Sequence, residues 1–290
     1  MCHVNGFRRA RLVGFLLVIA GLPAALVKGA PPDRPTGSVH VLYVESWPRW
    51  EFRHHRGLLQ DPLSRQNGFR GRVVLLGTED ASLPDDPARA AGLPIRGELD
   101  HFDLVVLGDI DPADKRLGPE YLKNLARFVK DGGGLVVIAG PHHIPHDLKG
   151  TALEPILPIE LGTPPAKDKP DTERKEGYRP VPTPFGWQHP AFRLGTAATD
   201  SPDAVRKVWE SLPEMYWWAE GYVARPKAEI LATHPTAGGK ELHPLMVSHK
   251  LGQGRCLFVG FDETWRWRRD DSDRHYRAFW LALWRSMVGR

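Results

Sequence analysis

The chain of 290 residues reads as an α/β protein built on a mostly parallel sheet with helices on both faces. Three observations predict this. Short runs such as Leu104-Val105-Val106-Leu107 and Leu135-Val136-Val137-Ile138-Ala139 are apolar at every position, as strands covered on both faces must be. These runs alternate with segments of helical spacing, which is the order that generates parallel strands with covering helices. Polar residues then follow the strand ends one after another.

Taken in order, Val39 to Val44 is the first buried strand, and Ser46 with Pro48 opens a helix running through about Leu59. Arg72 to Leu76 is a second strand and Leu104 to Leu107 a third. Gly118-Pro119 starts a helix with Leu122, Leu125, Phe128 and Val129 on one face, stopped by Gly132-Gly133-Gly134. Leu135 to Ala139 is the fourth strand. Periodicity fades from about residue 148 to about 228, which marks an irregular insertion carrying its own packing. Within it, the hydrophilic tract 163–176 has a loop's composition. Glu229 to Ala232 and Pro244 to Ser248 resume the strand pattern, and Leu251-Gly252-Gln253-Gly254 turns into the strand Arg255 to Val259, giving a C-terminal hairpin. His275 to Val288 closes the chain as an amphipathic helix.

At 41% hydrophobic and 26% charged the composition is ordinary for a globular protein. The net charge of +4 comes from Arg8, Arg9, Arg11 and Lys28, which precede residue 31 where no acid occurs; removing them from 39 bases leaves 35 against 35 acids. A neutral body argues against a nucleic-acid binder that tracks phosphates. Those four bases flank the apolar run Leu12 to Val27, whose 16 residues are short for a spanning helix of about 20. Residues 1–30 therefore read as a signal peptide or membrane anchor, 31–37 as a Pro-rich linker and 38–290 as the α/β domain, exported to the cell envelope or periplasm and touching the membrane only through its N-terminal segment. Cys2 and Cys256 are the only cysteines, so the exported body has no internal disulfide.

Ligands of an open parallel sheet sit beyond the carboxyl ends of its strands. Glu45 and Ser46 follow the first strand, Asp109 and Asp111 the third, His142 and His143 the fourth, and Asp262 and Glu263 the last, with Arg266 and Arg268 close behind. Acids and histidines also cap turns at strand ends in any α/β protein, so only the set argues for a site. Trp47, Trp265 and Trp267 are candidates for its aromatic lining, with Trp50, Trp187, Trp217 and Trp218 as further aromatic surface.

The segments Tyr43-Val44-Glu45-Ser46-Trp47-Pro48-Arg49-Trp50-Glu51-Phe52-Arg53, Leu107-Gly108-Asp109, Gly133 to Gly140 and Gly254 to Arg268 resemble a bacterial domain of the class I glutamine amidotransferase-like superfamily. The resemblance spans roughly residues 38–290 and is strongest at its two ends. It implies a flavodoxin-like core, and partnership with the von Willebrand A-type domains that often accompany such domains in membrane proteins. It also implies a nucleophilic cysteine on the tight turn after the strand at 135–139, activated by a histidine with a neighbouring glutamate. Here that turn is Ala139-Gly140-Pro141-His142, without Cys or Ser, and Pro141 removes one N–H that an oxyanion would need.

Several roles for the cluster follow. His142, His143 and Asp109 supply imidazole and carboxylate ligands for a metal, the basis of an alternative as a metal-assisted hydrolase. A hydrolase on Ser46 or Ser248 lacks the Gly-x-Ser-x-Gly setting of a nucleophile elbow. Two of Glu45, Asp109, Asp262 and Glu263 lying close together would form an acid–base pair. Architecturally, Arg266 and Arg268 are expected to form forked ion pairs with Glu45, Asp109 or Asp262 beneath Trp265 and Trp267, tying the first, third and last strand ends. The functional rival is a pocket for an anionic or carbohydrate-like ligand. The expectation is an exported, non-catalytic binding or interaction module of the envelope, with no cofactor.

Overall fold

In the computed structural model the first strand, β1 (Val39–Glu45), pairs in parallel with both β2 (Phe69–Leu75) and β3 (Leu104–Leu107). β3 pairs with β4 (Gly134–Ile138), and β4 with β10 (Gly254–Val259), again in parallel. The register sets Val41 against Leu104 and Leu257 against Val136. β9 (Pro244–Leu251) turns antiparallel to β10, and β8 (Glu229–Thr233) and β6 (Val181–Pro182) complete eight strands in the order β2-β1-β3-β4-β10-β9-β8-β6. The parallel part follows the flavodoxin-like order, and strand order reverses between β1 and β3. The structure describes residues 1, 37–76, 92–94, 97–165, 176–197, 199–235, 243–268 and 273–289. The apolar run 12–27, residues 31–36 of the Pro-rich linker and most of the tract at 163–176 lie outside them.

Alternate residues of the strands feed two cores. On one face Val41, Tyr43, Val136, Leu257 and Val259 meet Phe52, Leu58 and Leu59 of α1 (Trp50–Gln60) and Tyr276, Phe279, Trp280 and Trp284 of α6 (Arg274–Ser286). On the other face Leu42, Val44, Val105, Leu107, Leu135 and Val137 meet Leu122, Leu125, Phe128 and Val129 of α3 (Gly118–Lys130). Each of these apolar side chains contributes about 1.5–3 kcal/mol by leaving water, so the sheet centre is secured from both sides. α1 gives way to a short α2 (Pro62–Gln66), begun by Asp61, which accepts a hydrogen bond from Leu63 N at 2.9 Å. α3 ends at Lys130, and Gly132 just beyond it has a φ of 114°, which lets the chain turn straight into β4.

The region at 148–228, expected to pack on itself, shares the two cores instead. Tyr178, Phe192, Trp209 and Met215 join the α1/α6 face, and Leu148, Leu153, Ile156 and Tyr222 the α3 face. Its α4 (Pro184–Gln188) and α5 (Pro202–Glu210) begin at Thr183 and Ser201, whose hydroxyls accept from backbone amides. It also supplies the edge strand β6, while β5 (Ile159–Leu161) and β7 (Tyr222–Ala224) form a separate antiparallel pair. The second strand begins at Phe69, three residues ahead of the apolar run that signals it, because Phe69 packs against Trp284 in the same core. Among the described residues no helix is long and apolar enough to cross a membrane.

Candidate functional site

Because β1, β3, β4 and β10 run parallel, their carboxyl ends meet at one edge of the sheet. β1 ends in Glu45, which is fully buried. Its Oε2 accepts from the Tyr43 hydroxyl at 3.1 Å and from Arg49 Nε at 3.0 Å. The turn at Pro48 sends Arg49 back over the strand end, where Nη1 donates to the Ala139 carbonyl at 2.9 Å and to Asp262 Oδ2 at 2.8 Å. One guanidinium therefore joins the ends of β1, β4 and β10. Gly108 permits the approach, since a Cβ there would collide with the Glu45 carboxylate.

This arrangement corrects the expected pairing. The arginine between Glu45 and Asp262 is Arg49, not Arg266 or Arg268. Arg266 turns to its own neighbour Glu263, with Nε and Nη2 donating to Oε1 at 2.8 and 2.7 Å. Arg268 pairs with Asp273 and His54. Trp267 does not line a surface either: it is 2% exposed and packs edge-on against Trp209 and Phe279.

Two acids on one cation, out of water, leave one negative charge uncompensated. Burial pushes Glu45 up to about 7 despite Arg49, with Asp109 adding repulsion. Burial likewise raises Asp262 to about 6 against the pull of Arg49. Burial opposes the Arg49 charge, yet Glu45 and Asp262 hold it well above the ordinary guanidinium value. Near neutral pH the odd proton belongs on Glu45, whose Oε1 is buried without a partner among the described residues.

Asp109, fully buried at the end of β3, has a different task. Its Oδ2 accepts from His142 N, and its Oδ1 from His143 N and Ile144 N, all at 2.9 Å. The amides of the turn after β4 are thus closed by an internal carboxylate. Gly140 admits this contact, because a Cβ would strike the Asp109 side chain. With both oxygens engaged, Asp109 is not presented to a metal. His143 Nδ1 lies 2.8 Å from Asp147 Oδ2, and His142 stands 5.0 Å from the Trp47 ring. Among the described residues no group of three His, Cys, Asp or Glu side chains is placed to hold a metal ion.

Ser46 is buried, and its hydroxyl accepts from Asp111 N at 2.8 Å; the Asp111 carboxylate accepts from Ala113 N at 2.8 Å. Both organise the loop after β3. Glu263 holds the segment Tyr216-Trp217 over the end of β10, accepting from both backbone amides. Arg266 lies between the Tyr216 and Trp265 rings, 4.9 and 4.6 Å from their centroids. Trp265 continues to Trp50 at 5.7 Å, and Trp50 and Trp47 are 57% and 39% exposed. The accessible part of this edge is therefore aromatic and cationic, above a floor of Arg49 and Asp262.

Glu51 is a further buried acid, placed in α1 and not at a strand end. It accepts from the Thr264 hydroxyl and from Trp265 N at 3.3 Å, and Thr264 Oγ1 accepts from Trp280 Nε1 at 2.8 Å. Burial raises Glu51 to about 8, offset in part by the Thr264 bond. Both Arg49 and Glu51 lie close behind Glu45, but Glu45 ends a strand and Arg49 precedes α1, so their four-residue spacing is not a helical one and the pair forms through the intervening turn. Cys256, inside β10, is buried and burial pushes its thiol well up, so it stays protonated and inert.

No family model matches the chain, and no curated protein matches it. Among solved structures, cytoplasmic protein STM1381 of Salmonella typhimurium LT2 is similar over 86% of this chain and 100% of its own, with a TM-score of 0.52 and 16% identity. Cytoplasmic protein STM3548 of Salmonella typhimurium matches 86% of this chain and 99% of its own, with a TM-score of 0.53 and 17% identity. A ThuA-like protein of Parabacteroides merdae aligns with 87% of the chain at a TM-score of 0.46 and 14% identity. What the two Salmonella proteins share with this chain is the fold.

Proposed function

We propose that this chain is an exported amidotransferase-like domain without glutaminase activity, acting as a binding or interaction module of the cell envelope. The observation that carries the non-catalytic part is the turn after β4. It holds no nucleophile, and its three amides at 142–144 already donate to Asp109. An oxyanion would have to displace a buried carboxylate from three hydrogen bonds, each of a charge-assisted kind worth about 1.5–3 kcal/mol. Export rests on the basic and apolar pattern of residues 1–30, and partnership with von Willebrand A-type proteins rests on the sequence resemblance.

The aromatic and cationic edge formed by Trp47, Trp50, Trp265, Tyr216 and Arg266 is the surface offered to a partner or ligand. Two assays test the proposal. The purified chain incubated with glutamine is expected to release no ammonia above buffer; release that persists in Cys256→Ala would overturn the non-catalytic assignment by requiring another nucleophile. Metal analysis of protein purified without chelator addresses the alternative hydrolase. A stoichiometric metal lost on His143→Ala would favour that alternative.

A further inference from the structure

At the opposite end of the sheet from the polar cluster, a cavity of about 580 Å³ opens between the start of β10, the end of β9 and the turn leading into β8. It is lined by Pro226, Lys227, Glu229, Ser248, His249, Lys250 and Arg255. Its volume lies within the range of ligand sites, about 300–1,000 Å³. Three cations and one acid give it net positive charge, in a body whose bases and acids balance overall.

The sheet register makes that charge a deliberate concentration. Arg255 of β10 is directly opposite Lys250 of β9 in the antiparallel pair. Directly opposed residues have their Cβ atoms roughly 4.5–5.5 Å apart, and like charges there are destabilising. Among the described residues neither Lys250, Arg255 nor Lys227 has a carboxylate partner, and the one lining acid, Glu229, is set against Ser248 rather than between the two cations. Lys227 brings the third charge from the turn between β7 and β8 with φ at 70°, a conformation unusual for a residue with a side chain. His249 does not add a free imidazole, since its Nε2 is 2.8 Å from the Ile156 carbonyl. Ser248 leaves a hydroxyl among the cations, which suits hydrogen bonding to an anion's oxygens.

We infer that this cavity is a binding site for a small molecule carrying two or more clustered negative charges, held by Arg255, Lys250 and Lys227. A singly charged ligand would leave the cross-strand repulsion largely in place. A phosphate ester and a polycarboxylate share the required chemistry, so the test has an arm for each.

The full chain is titrated calorimetrically with pyrophosphate and, separately, with citrate at about 0.1 M salt, where charges more than about 10 Å apart are screened. Saturable binding of one of them at a single site is expected, and the arm that binds identifies the source. Arg255→Gln and Lys250→Gln are each expected to weaken it at least about tenfold, as loss of a charge-assisted contact does. Lys123→Gln, which removes an exposed charge of α3 outside the cavity, is expected to leave it unchanged. Thermal melts give a readout of opposite sign: without ligand Lys250→Gln is expected to raise Tm by relieving the repulsion, while abolishing the upward shift that the ligand gives the parent chain. Should Arg255→Gln fail to fold, Lys227→Gln on the turn takes its place. Saturable binding of neither anion, or binding that survives both charge removals, would overturn the assignment.

Discussion

Arg49 is the residue on which the strand-end cluster depends, because among the described residues it is the cation bonded to both Glu45 and Asp262, and it also satisfies the Ala139 carbonyl. Removing one partner of a buried ionic group costs about 3–5 kcal/mol, since the remaining charges stay dry and unpaired. Arg49→Met is therefore expected to lower unfolding free energy by that amount in urea titrations. Adding Glu45→Gln to Arg49→Met is expected to recover part of the loss, which a double-mutant cycle measures as coupling. If the two substitutions instead add independently, the shared guanidinium is not the source of the stability.

Between elements, the corresponding tie is Thr264, on the short turn after β10. Its hydroxyl donates to Glu51 of α1 and accepts from Trp280 Nε1 of α6, so one side chain registers two helices on the same face of the sheet. Thr264→Val keeps the shape and strands two buried polar groups at about 1–3 kcal/mol each. Thr264→Ser, which keeps the hydroxyl, is expected to cost under about 1.5 kcal/mol by loss of a methyl group; equal losses for the two variants in chemical denaturation would refute the hydroxyl's role. At this scale the sequence is informative where elements are periodic. β1, β3, β4, α3 and the C-terminal hairpin are legible because apolar runs and Gly or Pro boundaries coincide. β6 is two residues long among prolines, and β5 and β7 have three residues each, too short for any period to register. Strand-end logic finds Glu45, Asp109 and Asp262, since topology places them. It assigns their arginine wrongly, because Arg266 and Arg268 stand out by density whereas Arg49 reaches the cluster only through the bend at Pro48. Glu51, in a helix rather than at a strand end, lies outside that logic altogether.

For the whole molecule, titration of the buried groups sets how stability follows pH. Glu45, Asp262 and Glu51 have folded-state values raised to about 7, 6 and 8, so the folded chain keeps protons that the unfolded chain releases at ordinary carboxylate values. Their contribution is full at low pH and lost as pH rises through those values. His54 and His189 are both lowered by burial to about 4, and His55 is lowered as well, which acts in the opposite sense by favouring the folded state as pH rises towards 6.5. The two sets oppose each other up to about pH 6.5; beyond it only the acids still titrate. Stability is therefore expected to fall between pH 6.5 and 8, by up to about 1.4 kcal/mol per pH unit for each retained proton. Urea midpoints across that interval should decline in the parent and flatten in Glu51→Gln. A flat parent profile would show that Glu51 and Glu45 ionise normally.

The ends of the strand order have a bearing on how copies of this chain can meet. An open sheet usually offers its outer strands as templates on which another strand adds, the first step towards fibres. Here one rim of the eight-stranded sheet is β6, two residues long and ending in Pro182, between Pro180 and Pro184; the other is β2, which carries Arg70 and Arg72, the latter paired with Glu98. Proline has no N–H to extend a ladder, and charge disfavours stacking of like edges. Among the described residues sheet continuation is disfavoured at both rims, which points to faces, loops and the aromatic strand-end surface as the places where this fold associates.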